Sequence, residues 1–307
     1  HGLGVAPSLV ITKALGAVNG WPTLVMAGST RYDGLRLNEA NLNNAGNGAG
    51  FFQNTSPTDS VFYLGNSDES NRNATATIAY CFAEVAGLTS IGGYSGNGSD
   101  NGPIINTGFE PAWLMIKVVT GTADGWFMVD NKRDTSNPRA VRVFANSNVG
   151  DAEEAGAQVD FLTNGFQLRG SGGGQGQTNK GTSSYVYIAF ASDPSAAPVL
   201  ADSFNTTTYT GSPLGTPYSV TGIGFRPDFV WIKCRGTAHF HYIVDTLRGP
   251  AGRIASDLSA GDPAYSPDEF QSFDSDGYTL IPTSGGGRTA YDLAGGYVGW
   301  AWKVNST

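Results

Sequence analysis

Residues 108–117, GFEPAWLMIK, return as residues 224–233, GFRPDFVWIK, and in looser form as residues 2–13, GLGVAPSLVITK. Each stretch has a glycine turn, a proline, an apolar strand-like run and a closing lysine: Lys13, Lys117 or Lys233. A second mark ends each unit: AYCFAE around Phe82, YIAFAS around Phe190 and YVGWAWK around Trp300. Phe190 follows Phe82 by 108 residues, and Trp300 follows Phe190 by 110. Self-similarity at a fixed period marks a repeat architecture, so the 307 residues divide into three units. The expected boundaries are 1–93, 94–199 and 200–307.

Further marks fall in register. An aromatic-led strand follows the proline strand: GWPTLVM from Gly20, GWFMVDNKR from Gly125 and HFHYIVDTLR from His239. Units two and three then carry Asp-x-x-Arg, as Asp130/Arg133 and Asp245/Arg248. Both continue into a hairpin, FLTNGFQLR and SFDSDGYTL, with Asn164-Gly165 and Asp276-Gly277 expected at the corner of a two-residue loop. Both also open with a leader, from Tyr94 and from Tyr209, that unit one lacks. The sequence reading therefore expects a fragment whose preceding part supplies a missing strand.

Val, Ile, Tyr, Phe and Trp dominate the short apolar runs, and Gly, Asn, Ser and Pro separate them, which predicts an all-β fold of tandem antiparallel β-sandwiches. Helix is expected only over Gly150–Val159 and Ser266–Phe270, both opened by capping-type residues. Charged residues make up only 14% of the chain, so its 43 glycines and its uncharged polar groups must meet much of the solvent.

A net charge of -8 with 18 dispersed Lys and Arg argues against nucleic acid, whose phosphates demand clustered cations. No apolar run is long enough for a membrane-spanning helix, so no membrane insertion is expected. Cys81 and Cys234 lie in apolar runs, where a free thiol behaves as a small hydrophobe.

Several constellations suggest chemistry, and each has a plainer reading. His239 and His241 share a strand face and could ligate a metal, but His241 aligns with Trp126 of the sister copy. Asp274 and Asp276 have calcium-loop spacing, while unit two has Thr163-Asn164-Gly165 at the same turn. Asp151, Glu153 and Glu154, or Asp268 and Glu269, could form the carboxylate pair of a glycosidase, yet nothing pins them opposite one another. The Asp-x-x-Arg pairs read as scaffold ion pairs, and Trp113, Trp126, Trp231, Trp300 and Trp302 as core or interface rather than sugar platforms, with Trp21 left unassigned. The sequons at Asn54, Asn73, Asn97, Asn205 and Asn305 are expected by chance in so Asn/Ser/Thr-rich a chain. GSGGGQGQ from Gly170 and SGGG from Ser284 lack the Lys-Ser/Thr of a nucleotide cradle and read as loop tips able to make contacts. No catalytic, cofactor or metal residue is assigned.

HGLGVAPSLVITK, NTSPTDSVFYLG at 54–65, AYCFAEVAG at 79–87, the leader-plus-strand block from Tyr94 to Lys117, VDFLTNGFQLR and YIAFASDP together resemble a domain of unknown function found in tail and fibre proteins of tailed bacteriophages. The resemblance covers residues 1 to about 194, and unit three looks like a more distant copy. It implies lectin-like or jelly-roll sandwiches, a homotrimer, and a place on the virion surface after assembly in the host cytoplasm. The expected function is a structural and adhesive tail fibre that binds a host-surface glycan or protein and contacts other virion proteins. The alternatives are a capsid decoration or head-fibre protein and a polysaccharide depolymerase.

Overall fold

In a computed structural model of the chain, residues 1–170, 175–191, 204–260, 269–282 and 296–304 are described. The fold is nearly all β, and every strand pairing is antiparallel.

Unit one contributes β1 (Leu9–Ala14), β2 (Pro22–Ala27), β3 (Thr30–Arg36), α1 (Ala45–Phe52) and β4 (Thr77–Phe82). Unit two contributes β5 (Thr89–Ser95), β6 (Asn101–Asn106), β7 (Pro111–Thr120), β8 (Phe127–Asp130), β9 (Val141–Phe144), β10 (Ala152–Glu153), β11 (Gln158–Leu162), β12 (Gly165–Arg169), the short α2 (Gln175–Thr178) and β13 (Ser184–Ala191). Unit three contributes β14 (Phe204–Tyr209), β15 (Tyr218–Val220), β16 (Phe229–Cys234), β17 (Tyr242–Asp245), β18 (Arg253–Ile254), β19 (Phe270–Asp274), β20 (Gly277–Leu280) and β21 (Tyr297–Trp302).

The strand orders repeat as the sequence does. Unit two has a large sheet β10-β9-β8-β7-β13-β5 facing a small sheet β11-β12-β6; unit three has β18-β17-β16-β21-β14 facing β15-β20-β19. In both, the inner faces close over one apolar layer, with Leu114, Ile116, Phe166 and Leu168 in unit two and Val230, Ile232, Tyr278 and Leu280 in unit three. Because β5 pairs with β13 along its whole length, Thr89–Gly93 belong to the sheet of unit two, and the expected boundary after residue 93 moves before Thr89.

Unit one departs from the expected sandwich. Its sheet is β3-β2-β1-β4, the counterpart of β9-β8-β7-β13, but among the described residues no small sheet covers it. Phe51 and Phe52 of α1, with Phe62 and Leu64 beyond it, pack instead on Val10 and Leu24. The sequence gives little warning of this helix, since AGNGAGFF carries three helix-weakening glycines. Its N-terminus is capped by Asn44, and Gly48 lies so close to Asp33 that a Cβ there would overlap the carboxylate. Tertiary packing of the two phenylalanines, rather than propensity, explains the helix.

The other helical expectations fail. Over Gly150–Val159 the chain forms β10 and enters β11, because Val159 faces the sandwich core and pairs with β12. Of the second stretch, Phe270 opens β19, and 266–268 lie outside the described residues. The two hairpins form, but their corners lie one residue earlier than expected, with Leu162 opposite Gly165 and Asp274 opposite Gly277. Those pairings place Thr163-Asn164 and Ser275-Asp276 in the loops, so each glycine is the first residue of a strand. A Cβ on Gly165 would sit 2.0 Å from the Ile105 carbonyl oxygen, and one on Gly277 1.9 Å from that of Val220. Close approach to the third strand requires these glycines.

The units are not beads on a string. The outer faces of all three large sheets meet in one core containing every tryptophan of the chain, together with Leu9, Ile11, Met115, Val186, Phe229 and Val298. β1, β7, β16 and β21 are accordingly buried on both faces, apart from the last residue of β7, which is why they read as continuous apolar runs instead of alternating ones.

Candidate functional site

The joints between units use equivalent residues in a cycle. The Trp21 indole of unit one donates to the Leu258 carbonyl of unit three at 2.8 Å. Trp126 of unit two donates to Arg36 of unit one at 2.9 Å, and His241 Nε2 of unit three lies 3.0 Å from the Phe144 carbonyl of unit two. The backbone N–H of each of these residues is held by a side-chain oxygen two or three residues past the third strand: Asn38, Asn146 and Asp257.

The closing lysines follow the same cycle. Lys13 Nζ donates to Asn19 in its own unit and to Ser259 of unit three; Lys117 donates to Asp124 and to Ala40 of unit one; Lys233 donates to His239 and to Asn148 of unit two. All three lysines are wholly buried. Desolvation pulls Lys13 and Lys233 down to about 8 and Lys117 to about 7. Three equivalent contacts, each reaching the previous unit, close a ring with approximate three-fold order.

The residues singled out for chemistry are absorbed by this scaffold. His241 Nδ1 accepts from the Trp231 indole at 2.7 Å while Nε2 faces the Phe144 and Ser147 carbonyls, so both ring nitrogens are engaged. Burial, then the Lys233 charge, lowers its pKa to about 3, which keeps the ring neutral. The His239 carbonyl serves Lys233. Asp274 accepts from Ser272 and Thr279, and Asp276 from the backbone of Gly222 and Gly224, so the calcium-like spacing ties down loops. Asp151 joins units two and three by bridging Arg133 and Arg235. Glu154 faces Arg142 and Glu269 faces Arg253, while Glu153 is exposed and Asp268 lies outside the described residues. Asp151, Glu154 and Glu269 are thus each held by arginines of the scaffold. No group of three or more metal-ligating side chains occurs among the described residues. The cysteines are free thiols, Cys81 half-buried and Cys234 buried.

Asp130 and Arg133 pair at 2.6 Å with both side chains fully buried, and the Trp300 indole donates to Asp130 across the joint. Asp245 and Arg248 pair likewise, and the Tyr80 hydroxyl of unit one donates to Asp245 at 2.8 Å. An apolar cavity of about 20 Å³ among Trp21, Trp113, Trp231 and Trp302 lies inside this common core and is too small for a ligand. The glycine-rich tip at 171–174 and the loop at Ser284 lie outside the described residues.

A groove that joins two units lies where the β2–β3 hairpin of unit one meets the ends of β5 and β13. Its volume is about 370 Å³, and Thr30, Tyr32, Tyr94, Ser95, Ser184 and Tyr185 line it. Tyr94 and Tyr185 stack at 5.0 Å, and their hydroxyls are fixed by the Thr178 carbonyl and the Lys180 N–H. Gly28 has φ +60° at the hairpin turn, and Gly93 lies beneath the hairpin, where a Cβ would press on Ala27. Tyr185 is almost wholly buried, so the half-buried Tyr32 with the hydroxyls of Thr30, Ser95 and Ser184 is what the groove offers, a polar lining that suits a neutral, polyhydroxylated ligand. The sequence reading missed this groove: Tyr32, Tyr94 and Tyr185 are far apart in the chain, and only Tyr94 lay in a noted motif.

The chain matches the profile of a domain of unknown function, DUF7483, over residues 1–194 and again over 200–307. It belongs to the DUF7483 family. Both matched segments of this DUF7483 protein contribute sheets to the single ring. No curated protein and no solved structure matches the chain. Among the described residues no helix is long and apolar enough to cross a membrane.

Proposed function

We infer that this DUF7483 protein is a structural and adhesive component of a bacteriophage surface appendage, such as a tail fibre, that binds a host-surface glycan. The observation that carries the adhesive part is the tyrosine-lined, hydroxyl-rich groove at a rigid joint between units. The pairing of Asp151, Glu154 and Glu269 with arginines of the scaffold supports binding over hydrolysis. The ring within one chain supplies the three-fold order that a homotrimer of single units would otherwise supply. Many weak grooves displayed on one particle would raise avidity without tight single-site binding.

The test is binding of purified host polysaccharide, with reducing ends assayed in parallel. Binding without cleavage, weakened at least about 5-fold by Tyr32→Ala with the unfolding midpoint little changed, is expected for loss of one aromatic contact. New reducing ends would support a depolymerase, and unchanged binding by Tyr32→Ala would remove the groove from the reading. Antibody labelling of intact particles separates a tail fibre from a head fibre or capsid decoration.

A further inference from the structure

Residues 38–47, NEANLNNAGN, hold five asparagines, and local structure spends only part of their hydrogen-bonding capacity. The side-chain oxygen of Asn38 accepts from the Trp21 N–H, that of Asn43 from the Gly34 N–H at 2.9 Å, and that of Asn44 from the Gly46 N–H at 3.0 Å, which caps α1. Because the oxygen is the engaged atom, the amide orientation is fixed, and the Nδ2 groups of Asn43 and Asn44 keep no partner among the described residues. Asn47 lies inside α1, where alanine would give a more stable helix, and its carboxamide makes no hydrogen bond among the described residues.

Asn41, Asn43, Asn44 and Asn47 line one pocket of about 340 Å³, with Arg36 and Glu39 in its polar wall. Its walls are held from two sides. A Cβ on Gly34 would overlap the Asn44 carbonyl, so β3 and the asparagine loop close directly on each other. The loop is also tied to unit two: Lys117 donates to the Ala40 carbonyl at 2.7 Å, and Leu42 packs against the inner core of that sandwich. The pocket shares no lining residue with the groove beside Tyr32, so neither site depends on the other.

The charges narrow the ligand. Arg36 donates to both oxygens of Glu69, at 2.7 and 2.8 Å, and lies 3.5 Å from Glu39, which also accepts from Asn41 at 2.6 Å. An anion finds no unpaired cation there and meets the Glu39 carboxylate. A metal ion meets the donor ends of two amides and a carboxylate already held by Arg36. The groups still unspent are the donors of Asn43 and Asn44, the Oδ1 acceptor of Asn41 and the Asn47 carboxamide, which does both. A hydroxyl group also donates and accepts, so a ring bearing several of them matches this mixture. We propose that the asparagine pocket binds a neutral, polyhydroxylated ring, such as a hexose unit of a glycan, with Asn43 and Asn44 donating to its oxygens and Asn47 bridging two neighbouring hydroxyls.

The test titrates the full chain with glucose, galactose and mannose, and with glucuronate as the charged control, following the side-chain amide signals of Asn43, Asn44 and Asn47 by nitrogen–proton correlation spectroscopy. At least one neutral sugar should shift these signals with millimolar affinity, and glucuronate should bind at least about fivefold more weakly beside Glu39. Asn44→Asp keeps the oxygen that caps α1 and loses the Nδ2 donor, while Asn47→Ala removes a carboxamide and favours the helix. Each should weaken the sugar at least about fivefold with the thermal unfolding midpoint within a few degrees, whereas a purely structural role would leave binding unmoved. Tyr32→Ala should change this affinity less than about twofold. No shift with any neutral sugar, preference for glucuronate, or full affinity in both asparagine variants overturns the proposal. Loss of the sugar in Tyr32→Ala with the asparagine variants unaffected would assign it to the other groove, overturning this site while leaving the adhesive reading in place.

Discussion

The three joints of the ring are built from equivalent positions and solved in two ways. Where unit three meets unit two, and unit one meets unit three, a buried Asp–Arg pair receives a hydrogen bond from the neighbour, Trp300 in one joint and Tyr80 in the other. Where unit two meets unit one, the strand registers place Val25 at the aspartate position and Ile188 at the donor position. Donor and acceptor are thus both present or both replaced by apolar groups. A buried charge is tolerated when every partner is present, an apolar pair fills the same space without desolvation cost, and a mixed joint is the costly option.

That contrast sets the order of the expected effects. Arg133→Met should be the most damaging change, about 3–5 kcal/mol, because it strands Asp130 in a fully buried site and frees Asp151 from one of its two arginines. Denaturant unfolding measures it, and a loss below about 1 kcal/mol would deny the pair its role. Asp245→Val alone should cost nearly as much, since Arg248 and the Tyr80 hydroxyl lose their acceptor. The triple variant Tyr80→Ile, Asp245→Val, Arg248→Met converts this joint to the apolar solution and should regain most of that loss, a strongly non-additive outcome. If the triple variant is as unstable as the sum of its parts, the two joint chemistries are not interchangeable.

Lys117→Met tests the feature all three joints share. It leaves the Ala40 and Asp124 carbonyls without their donor and should cost about 1–3 kcal/mol. The same lysines also set a pH dependence. Between about pH 7 to 8 and 10.5 an unfolded lysine keeps its proton while the buried lysines release theirs, so the unfolded state binds more protons and stability rises with pH. His241 acts in the same direction from about pH 3 to 6.5. Cys81, pushed up to about 11, and the buried tyrosines reverse the slope above about pH 9. Unfolding free energies should therefore climb from pH 7 to 9, and Lys117→Met should flatten the climb.

Much of the architecture is legible in the chain. The proline strands, the aromatic-led strands, the hairpins and the paired Asp-x-x-Arg motifs all follow from local patterns that recur in register. Replacement of the small sheet of unit one by α1 was not legible, because AGNGAGFF is a weak helix former held by Phe51 and Phe52 against Val10 and Leu24. The candidate groove was hidden for a related reason: its tyrosines lie on three separate strands and meet only when unit one leans on unit two.

By itself, the sequence determined three copies of a β unit with their strands and turns, since propensity, periodicity and turn chemistry act over a few residues. The tertiary structure alone decided that the copies close into a ring around one core and that their lysines bridge neighbours. Lys13 finds the Ser259 carbonyl 246 residues away. No local pattern encodes such a partner, because the bond forms only after burial has brought three sheets together and left the ammonium no water to turn to.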